Sequence, residues 1–217
     1  MKMYCEFINN LPKTININGY DKPTINSNGD FIHFTIEGII NFWNWFDDSV
    51  VVDKLGRPLI LYHGTQYDFD VFNTDSELGV HFGNIKQANH ITSHKVGKKY
   101  FTYPQNYLIG QSVIPVYLSI KNPLKINDLG DFSPANVTKE LLRLNIIDTN
   151  LDKDLTNKDF VTILSSKGYD GVVYLNKHEG LIGGFRKESS GDSYIVFFPN
   201  QIKSKYNIGN FDKNKLR

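Results

Sequence analysis

The spacing of apolar residues along this chain shifts between two and three or four, and each shift predicts an element. TININ (14–18) and FIHFT (31–35) alternate as strands, with NSNGD (26–30) as a hairpin turn between them. Thr35 can cap a helix in which Ile36, Ile39, Ile40, Trp43 and Phe46 recur at helical spacing, ending before Asp47. VVDKLGRPLILYHGT (51–65) holds two short apolar strands around the turn DKLGRP. GVHFGN (79–84) reads as a third strand ending in Gly83, and IKQANHITSHK (85–95) has helical composition. Residues 97–112 read as an aromatic-rich loop. SVIPVYLSIKNPLKI then reads as a strong strand that ends at Asn122-Pro123. Residues 133–167 are helical, with Ser133 or Asn136 as a cap, TKELLRLNII amphipathic and TNKDFVTILSSKG stopping at Gly168. YDGVVYLN and SYIVFF are the last two strands, separated by a Gly- and Ser-rich segment at 180–191.

Strands, then helix, then strands again predict an α+β fold rather than a doubly wound parallel sheet. The expected organisation is an N-terminal strand-rich extension, residues 1–34, followed by one domain over 35–217. With 217 residues, 40% of them hydrophobic and 13% aromatic, the chain can bury a substantial core.

Charge and cysteine usage narrow the function classes. Twenty-four basic residues against twenty-three acidic ones leave a net charge of +1, so no overall field draws the chain to nucleic acid or an anionic membrane. One cysteine, Cys5, excludes an internal disulfide framework and a cysteine-based zinc site, in keeping with a reducing compartment. No run of eighteen apolar residues and no signal-peptide core occurs, so the expectation is a cytoplasmic protein, or an effector delivered by a specialised machine into a host cytoplasm.

No phosphate-binding P-loop, Gly-x-Gly-x-x-Gly fingerprint, Gly-x-Ser-x-Gly elbow or His-Glu-x-x-His metal helix is present. His90 and His94 stand four apart, which is ligand spacing, but no acidic residue lies between them and no metal is expected. What remains is a set of polar residues at strand ends: His63, His81, Glu179, Asp192 and Ser193. His63 follows the apolar run 58–62 at the point where Gly64 lets the backbone turn away, and side chains at such strand ends commonly face a cleft.

Taken in order, PLILYHGTQYDFDVF, GVHFGNIKQA, VYLSIKNPL, GYDGVVYLNKHEG and DSYIVFFPNQIKS resemble the ADP-ribosyltransferase domains of phage and mobile-element polyvalent proteins, in the histidine branch of that superfamily. The resemblance runs from about residue 40 to 205 and includes the lead-in helix FWNWFDDS. It implies two packed, mostly antiparallel sheets forming a cleft for NAD, which is the substrate. It gives His63 a hydrogen bond to a ribose hydroxyl and Gly64 the backbone groups that bind the carboxamide, with Tyr62 and Thr65 beside them. It also assigns Gly79, His81, Phe82, Gly83 and Asn84 to the cofactor-binding second motif. Strand alternation allows only one of His81 and Phe82 to face the cleft, and the preferred arrangement has His81 in the site and Phe82 in the core. Phe69 and Phe72 are read as packing.

Most active members of this superfamily need a carboxylate to stabilise the cation that forms as nicotinamide leaves. Its usual position, directly before the tyrosine of SYIVFF, is Ser193 here. Glu179, in the pattern Tyr-x-Asn-x-x-Glu-Gly, is the first substitute. Asp192 points to the opposite strand face unless a bulge intervenes, and Glu188 lies in the following loop. The implied activity is mono-ADP-ribosylation of a protein acceptor, arginine being one option, with a nucleic-acid acceptor left open. Phe185 and Arg186 are candidate target contacts. A silent NAD- or ADP-ribose-binding module and an NAD glycohydrolase are the alternatives, and a phage, prophage or bacterial effector or toxin origin suits all three.

Overall fold

The computed structural model describes residues 11–65, 69, 71–75, 77–100, 112–148, 154–177 and 190–212, without the side chains of 93–100. The chain divides into two compact units, one formed by residues 1–61, 115–121 and 200–217 and the other by 62–114 and 122–199.

In the first unit, β1 (Thr14–Ile17) and β2 (Tyr20–Pro23) form an antiparallel hairpin. Its turn is Asn18-Gly19, both with positive φ (53° and 89°), the conformation that twists a two-residue turn in the same sense as its strands. The predicted hairpin around 26–30 therefore gives way to this nearer one. NSNGD still turns the chain, but only a single bridge, Ile25 to Phe31, closes it. Asn26 Oδ1 accepts the amides of Asn28 and Asp30 and holds that turn.

Helix α1 (Ile36–Phe46) is capped as predicted, Thr35 Oγ1 accepting the Gly38 amide at 3.1 Å. Its buried face supplies the unit's core. Phe42 stacks on Phe46 (5.0 Å) and meets Tyr117 and Phe211 edge-on. The indole nitrogens of Trp43 and Trp45 donate to the carbonyls of Pro23 and Asn200, so neither aromatic buries an unpaired donor. The expected strand at residue 51 is reduced to one bridge, Val52 to Pro58, because Asp53 accepts the Leu55 and Arg57 amides and winds the chain into a turn. The run 112–126 is likewise not one strand. It divides into β5 (Ser112–Leu118) and β6 (Pro123–Ile126). Residues 116–118 of β5 pair antiparallel with β9 (Ile202–Ser204), which follows a 3-10 turn at Pro199–Gln201. Ser119 Oγ then donates to the Trp45 carbonyl, taking the chain out of the ladder.

The second unit holds a four-stranded sheet in the order β4-β8-β7-β6, with β4 (Val80–Phe82), β7 (Gly171–Asn176) and β8 (Gly191–Val196). β8 is antiparallel to both of its neighbours, whereas β6 and β7 are parallel. A parallel pair requires a crossover, here through α3 (Pro134–Arg143) and α4 (Asn157–Ser166). α4 opens with a full capping box between Thr156 and Asp159. Leu124, Val172 and Ile195 from the sheet, Phe197 directly after β8, and Val137, Leu141, Phe160 and Leu164 from the helices make one buried cluster. β3 (Leu61–Thr65) and α2 (Ile85–Tyr100) complete the elements; α2 runs past the predicted end at 95. Helices beside antiparallel strands give the α+β class expected from the sequence.

Candidate active site

The face of the second unit's sheet that carries this apolar core changes character along its length. Directly paired residues share a face, so the pairs Val172–Ile195 and Tyr174–Ser193 put their side chains on one side, with Asn176 two residues further along β7. His81, opposite Ile195 on β4, joins them. The core therefore passes into a polar end, and there a cleft of about 590 Å³ opens. Its lining includes Tyr62, His63, Gly64, Thr65, Phe69 and Phe72 from the first motif.

β3 delivers His63 by a short link to the end of β4. Tyr62 exchanges two backbone hydrogen bonds with Gly83, at 2.8 and 3.1 Å. One residue on, His63 Nδ1–H donates to the main-chain oxygen of His81 at 2.9 Å. A carbonyl can only accept, so Nδ1 carries a proton, and in the neutral form of the ring Nε2 is the acceptor. Rings surround this histidine: Phe72 at 5.4 Å, Phe82 at 5.5 Å and Phe69 at 6.2 Å. Phe69 and Phe72 thus pack as expected, and what they pack on is the candidate ribose ligand. Gly64 lies inside β3 and has no positive φ. Its small size is needed because a Cβ there would run into the Ala88 carbonyl of α2. The glycine permits close approach of helix and strand rather than a change of direction.

His81 and Phe82 occupy opposite faces of β4. Phe82 is buried on the side of Val173 and Tyr194, although its ring reaches the cleft wall beside His63. The His81 side chain remains 27% exposed, but its ring nitrogens are enclosed: Nδ1 lies 3.2 Å from the Tyr174 hydroxyl and Phe132 stands edge-on at 4.9 Å. Loss of hydration, and secondarily the neighbouring His63, lower its pKa from 6.5 to about 4, so it is neutral near pH 7. Its approach to Glu77, 3.6 Å from Nε2, is therefore not an ion pair at that pH.

Ser193, at the position where a carboxylate is usual, is 2% exposed. Its hydroxyl accepts from Asn176 Nδ2 at 3.0 Å and donates toward Gln87 Oε1 at 3.4 Å. Asn176 and Gln87 are each 1% exposed and line the same cleft. The sequence reading did not assign either residue to the site. Asn176 stood within the Tyr-x-Asn-x-x-Glu-Gly pattern, and the spacing Asn84-x-x-Gln87 is that of a helix-capping pair. Asn84 itself is not among the lining residues. Its Oδ1 accepts the amides of Lys86 and Gln87, while Gln87 Oε1 accepts the Asn84 amide at 2.7 Å. Asp192 is exposed and pairs with Leu175 on the opposite face, in unbroken register with no bulge to bring it round. Glu179, Phe185, Arg186 and Glu188 lie outside the described residues, as does the His94 side chain. Gly79 and Gly83 line the cleft.

Glu77, Asp128 and Asp131 are the carboxylates among the described lining residues, and none of those residues is Lys or Arg. Asp128 has a structural task, its Oδ2 accepting the Lys177 amide at 2.7 Å where β7 ends. Among the described residues, no group of three or more His, Cys, Asp or Glu is placed to hold a metal ion, and no helix is long and apolar enough to cross a membrane.

A family model described as ADP-ribosyltransferase in polyvalent proteins matches residues 53–211. The chain belongs to this family. No curated protein and no solved structure matches it. The ADP-ribosyltransferase match spans both histidine motifs, the crossover helices and the last strands, and so takes in every element of the cleft. Within this ADP-ribosyltransferase domain, His63, His81, Ser193, Gln87 and Asn176 come together, whereas Asp192 and Asn84 stand apart from the lining.

Proposed function

We propose that this ADP-ribosyltransferase domain transfers ADP-ribose from NAD to a protein nucleophile and releases nicotinamide. The observation that carries the reading is His63, enclosed by rings and locked by the His81 carbonyl in the tautomer that offers Nε2 to a ribose hydroxyl. The cleft volume falls within the usual range for small-molecule sites. Its acidic rim suits the cationic nicotinamide ring of NAD.

In the proposed reaction the bond between C1′ of the ribose and the nicotinamide nitrogen breaks, and the ring departs neutral with the electron pair. The acceptor's lone pair forms the new bond to C1′ and its proton passes to a base. Glu179 is assigned the carboxylate role, as stabiliser of the cation at C1′. It lies three positions after Asn176 in the cleft floor, a span of up to about 10 Å of extended chain. Tyr62, Gly64, Thr65, Gly79, His81 and Gly83 are assigned to NAD binding. The acceptor is a protein side chain, arginine being one option, and the site of action is a cytoplasm.

The test is incubation with labelled NAD and cell extract beside Glu179→Gln, scoring labelled protein and free nicotinamide together. Wild-type labelling reduced by roughly 10²-fold or more in the variant is the expected result for loss of an electrostatic stabiliser. Free ADP-ribose without labelled protein would make the domain an NAD glycohydrolase. One further reading has a specific observation behind it. The neutral, buried Ser193 in place of an acid suits a silent module that binds NAD without cleaving it, and NAD binding with no nicotinamide release in bacterial and eukaryotic extracts would select that reading.

A further inference from the structure

One nitrogen on the cleft lining is enclosed and unused. His81 Nε2 is buried and makes no hydrogen bond, although buried polar atoms are nearly always paired. The ring is held from two sides: Nδ1 lies 3.2 Å from the Tyr174 hydroxyl, and Phe132 stands edge-on to it at 4.9 Å while packing on the Tyr174 ring. Nε2 is thereby kept on the side of Glu77, whose Oε2 is 3.6 Å away, too far for a hydrogen bond. All four residues line the cleft. Glu77 itself stands between the first and second motifs, outside the segments that carry the resemblance. In the neutral His81 ring the tautomer follows from charge. With the proton on Nε2, an N–H faces the Glu77 carboxylate and Nδ1 accepts from the Tyr174 hydroxyl; with the proton on Nδ1, a lone pair would face that negative charge. The lining thus presents a donor, Nε2–H, beside an anionic acceptor, Glu77 Oε2. A planar group with an N–H and an acceptor atom side by side satisfies both at once, as amide side chains and the N6–N7 edge of adenine satisfy each other. NAD carries two such groups, the carboxamide of nicotinamide and that edge of adenine.

We propose that Glu77 is a specificity-determining residue that works with His81 as one reading pair, the carboxylate accepting the N–H of an amino-bearing edge and Nε2–H donating to the acceptor beside it. Such a pair selects by rejecting deaminated counterparts. Nicotinic acid sets a carboxylate oxygen, and hypoxanthine a carbonyl oxygen, where the N–H belongs, and either oxygen then meets Glu77 with no proton between them. The proposal rests on NAD being the ligand of this cleft, and the test tells which end of the dinucleotide the pair reads.

Affinities for NAD, nicotinic acid adenine dinucleotide and nicotinamide hypoxanthine dinucleotide are measured by calorimetry near neutral pH on the full chain, as wild type, Glu77→Gln and Glu77→Asp, with nicotinamide release followed in the same samples. The pair predicts that wild type binds NAD roughly tenfold or more tightly than one of the two analogues, the size expected of one hydrogen bond to a charged group. A preference over the nicotinic acid form puts the carboxamide at the pair, and a preference over the hypoxanthine form puts adenine there. Glu77→Gln should reduce that preference to less than about threefold, because its amide can turn an N–H toward the substituted oxygen. The Glu77 side chain is 66% exposed, so this variant leaves the core intact. Glu77→Asp keeps the charge but withdraws it by one methylene, and the preference should fall there as well. Equal binding of all three dinucleotides, a preference unchanged in Glu77→Gln, or one that survives in Glu77→Asp as a field effect would each overturn the pair while leaving NAD as the ligand. No binding of NAD by folded wild type would overturn both readings. The predicted preference without nicotinamide release would support the pair and refute only transfer. Nitrogen NMR of the His81 ring gives an independent readout: the proton should sit on Nε2 in the free protein, and NAD should shift that nitrogen more than Nδ1. A proton on Nδ1 instead would overturn the pair.

Discussion

His63 and Ser193 line one cleft, yet they are held by opposite means. Around His63 stand Phe69, Phe72 and Phe82, whose attraction is diffuse and falls off gradually with displacement. Around Ser193 stand the amides of Asn176 and Gln87, whose attraction is directional and fails when one partner is lost. A wall of rings tolerates small changes in the shape of its ligand, whereas the floor fixes geometry. The cleft combines a forgiving binding surface with a strict frame beneath it.

Removing Phe82 breaks the comparison most severely, because this ring serves both the wall and the buried side of β4. Phe82→Ala is expected to cost about 3–5 kcal/mol in denaturant unfolding; a loss below about 1 kcal/mol would mean that the wall carries little of the fold.

Acid acts on His81, between wall and floor. Its folded pKa of about 4 lies below the ordinary 6.5, so between those values the unfolded chain binds the extra proton. Stability from this residue is complete above about pH 6.5 and is lost as pH falls toward about 4, by up to ~3 kcal/mol. His81→Gln should flatten that limb of the stability profile. An unchanged limb would assign the acid sensitivity to another group.

Ser193→Ala removes the acceptor of Asn176 Nδ2 and is expected to cost about 1–3 kcal/mol, read as a lowered unfolding midpoint at unchanged m-value. A neutral result would place the floor on a par with the wall in tolerance. Asp192→Asn, one residue away on the exposed face, is the smallest change, within about 0.5 kcal/mol and without effect on nicotinamide release. A large loss of activity there would return Asp192 to the site.

The part of the wall next to His63 in sequence was legible as packing, and the floor was not legible, for a physical reason. His63, Phe69 and Phe72 follow one apolar run, and their neighbourhood is local. Ser193 meets Gln87 across 106 positions of sequence, through the pairing of β7 with β8 and of β8 with β4, and no periodicity carries that register. Alternation alone put His81 and Phe82 on opposite faces and sent Asp192 away from its neighbour. Asn84 shows the reverse case. The resemblance assigns it to the second motif, whereas a short polar side chain directly before a helix bonds the first free amides, and its oxygen makes those bonds here. The Asn18-Gly19 pair has the same turn chemistry as NSNGD, and its two positive-φ residues make the tighter turn that fits strand twist better.

The pairing of Asn176 with Gly191 bears on how this domain can change over time. These residues close the connection between β7 and β8, and Lys177 and Gly191 are each tied to groups outside it, to Asp128 and Gln87. The ends of that connection are thus brought together by the ladder and its neighbours, whatever lies between. Doubling the length of such a closed stretch costs only about 0.6 kcal/mol of closure entropy. What changes in the sequence between Lys177 and Gly191 leaves the ladder that joins those two ends in place, and that stretch holds Phe185 and Arg186, the candidate target contacts.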